Sequence, residues 1–141
     1  MKEEEMKALA EKDLEVWNGG QLSLLDEILS PNIVRHEVDM RGDIVGIEDN
    51  KKNVILNRVG FPDFKVAADE IIIKGDDIVA KWTLTGTNSG TFAEYPPTGK
   101  KIKLSGVTIS HIVNGKVNEA WVYYNQLAGF TQLGFTIKPP E

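Results

Sequence analysis

The chain has no cysteine, and only two of its 141 residues are histidines. Without cysteine there is no disulfide, no thiolate metal site and no cysteine nucleophile. Two histidines far apart give no basis for a zinc centre, so no metal is expected. No run approaches the roughly 20 apolar residues of a membrane-spanning helix. The charged start, M-K-E-E-E-M-K, precedes no apolar stretch, so no signal peptide and no membrane partner are expected, and a cytoplasmic location is. Basic residues are few, 16 against 21 acidic ones for a net charge of −5. They are also scattered, which argues against a nucleic-acid partner, since phosphate binding needs a concentrated basic face. The one cluster, Lys100, Lys101 and Lys103, reads as a solvated strand end. Also missing are G-x-S-x-G, a P-loop, G-x-G-x-x-G and H-E-x-x-H.

What is present fits one domain over residues 1–141. A chain of this length buries about 70% of its unfolded surface and needs no staples. Met6, Leu9, Ala10, Leu14 and Trp17 recur at helical spacing and predict a helix over 3–18. Asn18-Gly19-Gly20 stops it. A short helix is expected over 22–29, ending before Pro31. A short strand over 33–38 carries His36, and 41–45 reads as loop. A third helix runs from about 47 to 59 on Ile47, Val54, Ile55 and Val59.

From Phe64 the period changes to that of strands. Strands are expected over 64–74 and 78–87, the second with Ile78, Ala80, Trp82 and Leu84 on one face. A loop follows, rich in Gly and Pro, whose Phe92, Tyr95, Pro96 and Pro97 form packed loop or lid. Two further strands over 101–125 meet at Asn114-Gly115, a strong hairpin signal. A last helical turn or two covers 126–133. Helices first and then an antiparallel meander make an α+β fold, a curved sheet over helices with a pocket between.

Acid/base or ligand-binding chemistry would fall to His36, Asp39, His111, Glu119, Tyr123, Tyr124 and Asn125. Hairpin register decides which of them meet. A two-residue turn sets His111 on one face with Ala120, Val122 and Tyr124. A three-residue loop with a bulge at Gly115 sets it with Val117, Glu119, Trp121, Tyr123 and Asn125, in one concave surface. A slip of one residue exchanges the faces.

In order and spacing, several segments resemble the SnoaL-like polyketide cyclases of the NTF2-like superfamily. They are E-V-W-N-G-G-Q-L-S-L-L-D-E-I-L-S-P-N-I-V-R-H at 15–36, G-F-P-D-F-K-V at 60–66, G-D-D-I-V-A-K-W-T-L-T-G-T at 75–87, P-P-T-G-K-K-I-K-L-S-G-V at 96–107, N-G-K-V-N-E-A-W at 114–121 and Q-L-G at 132–134. The resemblance implies a cone: a strongly curved antiparallel sheet wrapped around N-terminal helices, with an internal cavity and a homodimeric assembly. It implies aldol ring closure without metal or cofactor, using an aspartate four residues after the tryptophan of E-x-W-x-x-x-D. Here that pattern reads E-A-W-V-Y-Y-N, so Asn125 stands at the aspartate position. His111 and His36 match the family's histidines, and Asn88 replaces the histidine of G-T-H-x-G. The resemblance favours the register bulged at Gly115.

The expected catalytic set is therefore His111 as base, Asn125 as hydrogen-bond donor to an oxyanion, and His36. An amide has no proton to exchange near neutral pH. Trp17, Asn88, Glu119, Trp121 and Tyr123 are the expected substrate contacts. The expected partner is a small, largely apolar carbonyl compound. The alternative is a cavity protein that binds a hydrophobic metabolite without chemistry, which the asparagines at 125 and 88 support. A third is a dimeric interaction module.

Overall fold

Four helices and six strands follow one another in the computed structural model, which describes residues 1–38 and 42–141. Helix α1 is Glu3–Trp17 and α2 is Leu24–Ile28; strands β1 and β2 are Leu29–Glu37 and Gly42–Val45. Helix α3, Ile47–Gly60, leads to β3, Lys65–Lys74, and β4, Asp77–Thr87. The chain closes with β5, Lys101–Val113, β6, Lys116–Tyr124, and α4, Gln126–Gln132. The strands form one curved sheet in the order β2-β1-β6-β5-β4-β3. Every junction is antiparallel except β1 with β6, which is parallel because α3 and the meander intervene between them.

The segment expected as loop over 41–45 is a strand from Gly42, pairing Val34 with Val45 and His36 with Asp43. Its four residues are too few for a periodic signal. Helix α3 differs from expectation in its buried face. Asn50, Asn53 and Val54 are buried, while Ile55 and Val59 are exposed. Asn50 can be buried because its Nδ2 donates to the Gly46 carbonyl at 2.7 Å.

Helix α1 buries Met6, Leu9 and Val16 against the concave side of the sheet. Its C-terminal end is fixed on two sides. The Asn18 amide exchanges two hydrogen bonds with the Val66 backbone, at 2.7 and 2.8 Å, as a strand residue would. The Arg58 guanidinium donates to the carbonyls of Val16 and Gly20. Both ties anchor the turn of α1 that carries Asp13 and Trp17.

In the β5–β6 hairpin Val113 pairs with Lys116, so the loop is the two-residue Asn114-Gly115 turn. Both residues have positive φ, 51° and 77°, as a type I′ turn requires. The bulge lies further along the strand. His111 pairs with Glu119 while Ile112 pairs with Val117, which leaves Asn118 as the extra residue. The bulge expected at Gly115 is thus at Asn118. It keeps His111, Glu119, Trp121 and Tyr123 on one face, but Val117 turns to the other.

Candidate functional site

The concave side of the sheet, α1, α3 and α4 enclose a cavity of about 150 Å³, with Phe92 and Phe130 among its lining residues. A smaller chamber of about 70 Å³ lies behind it, under α1 and α2. Asp13, Leu14, Trp17, Arg35, Trp82 and Thr108 line both and form the partition between them. The outer chamber is mostly apolar, with Trp17, Phe61, Phe64 and Trp82 among its walls.

The polar exception is a cluster from α1 and β1. Arg35 and Glu37 alternate with buried Ile33, and strand alternation turns all three inward. Arg35 Nε donates to Glu37 Oε1 at 2.7 Å, and its guanidinium lies 5.1 Å over the Trp17 ring. This bidirectional hold leaves the Nη groups with no hydrogen bond to a described residue. Asp13 projects from α1 into the same partition. Its carboxyl has no hydrogen bond among the described residues either. Burial raises its proton affinity above the ordinary aspartate value, and the Arg35 charge offsets that only partly. Thr108 completes the group, accepting from Trp82 Nε1 at 2.9 Å. An acid of raised pKa, a guanidinium with open donors and a hydroxyl in an apolar cavity can move a proton and stabilise an oxyanion.

The structure places most of the expected site residues elsewhere. Of the substrate contacts, Trp17 lines the cavity. His36, His111, Glu119, Trp121 and Tyr123 do share a wall, but it is the outer face of the sheet, which corrects the expectation of a concave one. The reason is alternation: Arg35, Glu37, Ala120 and Val122 face inward, so their neighbours face out. On that face His36 bridges two carboxylates, Nδ1 to Asp43 at 2.8 Å and Nε2 to Glu119 at 2.6 Å. It also stacks on Trp121 with ring centroids 5.4 Å apart. The bond to Glu119, and then that to Asp43, raises the His36 pKa. His111 Nδ1 bonds Asp77 at 2.8 Å. Asn125 is not in the cavity wall; its Oδ1 accepts from the Ala128 N–H and caps α4. Asn88 is buried and saturated, donating to Gly60 and Gly90 carbonyls and accepting from Thr98 N and Oγ1. It ties the loop to the end of α3. Tyr124 lines the outer chamber, and Asp39 lies outside the described residues.

Asp13, Arg35 and Glu37 were not among the expected site residues, yet each leaves a trace in the sequence. Asp13 interrupts the apolar stripe of α1, at i+3 from Ala10 and i−4 from Trp17. Arg35 and Glu37 follow Ile33 at strand period. A charge on a face otherwise apolar is the signal, and it needs the strand direction to be interpretable.

Comparison with known proteins adds the family. The sequence model of the SnoaL-like polyketide cyclases matches residues 7–133. Among solved structures, AclR of Streptomyces galilaeus, described as a candidate hydroxylase, is 28% identical with a TM-score of 0.82, covering 99% of this chain and 87% of that one. TsrD of Streptomyces laurentii is 23% identical with a TM-score of 0.83, covering 95% and 98%. A protein of ketosteroid isomerase-like fold from Catenulispora acidiphila, in complex with trimethylamine, is 12% identical with a TM-score of 0.76, covering 93% and 97%. The last two likenesses are of fold alone. Among curated proteins none matches the chain.

Proposed function

The chain belongs to the SnoaL-like polyketide cyclase family, and from that premise we propose that it performs cofactor-independent acid/base chemistry on a small, largely apolar carbonyl compound held in the cavity. The observation that carries this reading is Asp13 beside Arg35 at the partition of an apolar cavity. In this reading the Asp13 carboxylate removes a proton from the carbon next to the carbonyl. The Arg35 N–H groups hold the enolate oxygen, and Glu37 holds Arg35. In an aldol closure the enolate carbon bonds to a second carbonyl, and Asp13 returns its proton to the new alkoxide. In an isomerisation Asp13 returns it to another carbon. The raised proton affinity of Asp13 makes its carboxylate a stronger base than an exposed one. The roles expected of His111, Asn125 and His36 pass to this cluster, because they do not reach the cavity.

The test is deuterium exchange of 2-tetralone, a fused-ring ketone with activated protons, followed by NMR in D2O. Asp13→Asn should slow enzyme-dependent exchange by about 10²-fold or more. Wild-type rates in that variant would sink the assignment.

A second reading, binding without turnover, is favoured by Asn125, which stands where the family resemblance calls for aspartate and is occupied as a helix cap. It predicts saturable ketone binding with no exchange in the wild type. For either reading we infer a homodimer through the outer face. An apolar row of Ile72, Val79, Ile109 and Trp121 crosses four strands there. Trp121→Glu should convert dimer to monomer in sedimentation experiments.

A further inference from the structure

The two chambers differ in chemistry as well as size. All of the aromatic residues of the inner chamber, Trp17 and Trp82, belong to the partition. Most of the rest of its wall is aliphatic, built from residues such as Leu9, Leu25, Ile33 and Val54. Ala10, Ala80 and Ala120 also line it, and their small side chains leave the space open. Beyond the partition Ser110 is the one polar side chain not already bonded to backbone, so that end of the chamber is a poor site for ordered water. The outer chamber, by contrast, presents flat aromatic walls from several elements.

Resting on the reading of the site just given, we propose that the ligand is bipartite. A planar ring system occupies the outer chamber, its carbonyl lies at the partition against Arg35 and Asp13, and a saturated alkyl arm fills the inner chamber. The inner volume of about 70 Å³ has room for about five water-sized groups. That sets the arm at about four to five carbons.

The arm also has a consequence for the chemistry. An alkyl group anchored beyond the partition fixes the carbon next to the carbonyl beside Asp13. The aliphatic chamber thus selects the substrate and also orients the proton to be moved.

A homologous series of 2-naphthyl alkyl ketones, from acetyl to octanoyl, tests this by quenching of tryptophan fluorescence. Affinity should rise about fourfold per methylene as the arm fills the chamber. It should then fall once the arm is too long. Ala80→Leu should keep acetyl binding and lose the gain from longer arms. Ala10→Leu, on a different element, provides the same test should the first variant misfold. A flat series with acetyl still bound overturns the bipartite ligand and leaves the site reading standing. So does a gain that continues through octanoyl, or one that both leucine variants preserve. If no ketone binds, both readings fall together.

Discussion

Asp13 is a charge that the folded chain would rather keep protonated, and this has a sign that can be measured. Burial holds its pKa above the ordinary value of 3.8. Stability from that preference is present below about pH 4 and is lost as pH rises through the folded pKa. Asp13→Asn should therefore stabilise the protein at neutral pH, with a gain that shrinks towards pH 4, while in the proposed mechanism it removes proton transfer. Urea unfolding at both pH values checks this; an equal effect at both contradicts it. A site that destabilises its own fold is a common cost of function. Asn88 is the opposite case. It makes four hydrogen bonds in a buried position, so Asn88→Ala should cost about 2–4 kcal/mol, measured by the same unfolding. The sequence shows an asparagine there but not its bonds, because three of the four involve Gly60 and Thr98, 28 and 10 residues away.

The hairpin is the element on which the site turns. Its existence and its turn are legible in Asn114-Gly115, where two positive φ angles require those residue types. Its bulge is not legible, since Asn118 carries no signature that separates it from a paired strand residue. Whether Asn118 pairs or bulges decides which side chains of β6 meet the cavity. Deleting Asn118 should remove the bulge while leaving His111 opposite Glu119 and Val122 and Tyr124 facing inward, so the protein should still unfold cooperatively on heating; loss of cooperative thermal unfolding would contradict this register. Gly106 is the second fixed point of the hairpin. A Cβ there would meet the Trp82 ring at 2.4 Å and the Tyr123 carbonyl at 2.6 Å. Gly106→Ala should cost about 1–3 kcal/mol and shift Trp82 fluorescence, since the ring must leave the partition. The helices are legible for the opposite reason: α1 and α3 are several turns long and end at Asn18-Gly19-Gly20 and at Gly60-Phe61-Pro62. Strand β2, of four residues, was too short to register.

At the scale of the whole molecule, the sheet separates two sets of titratable groups. The inner set is Asp13, Arg35 and Glu37; the outer set is His36, Asp43, Glu119, His111 and Asp77. The α+β architecture and its cavity could be read from pattern and resemblance. Which side chains line the cavity could not, because face assignment needs both the bulge and the pairing of β1 with β6. The outer set holds strands together. His36 joins β2, β1 and β6 through its two carboxylates, which raise its pKa. Its contribution to stability is present below about pH 6.5 and is lost as pH rises through the folded pKa. His36→Gln should flatten that dependence in unfolding experiments between pH 5 and 9 without touching the cavity. In the proposed mechanism proton transfer belongs to the inner set. That is tested most directly by deuterium exchange of 2-tetralone in the wild type, Asp13→Asn and His111→Ala. Exchange should fall by about 10²-fold or more in Asp13→Asn and stay near the wild-type rate in His111→Ala. Loss in His111→Ala with exchange intact in Asp13→Asn would contradict that mechanism.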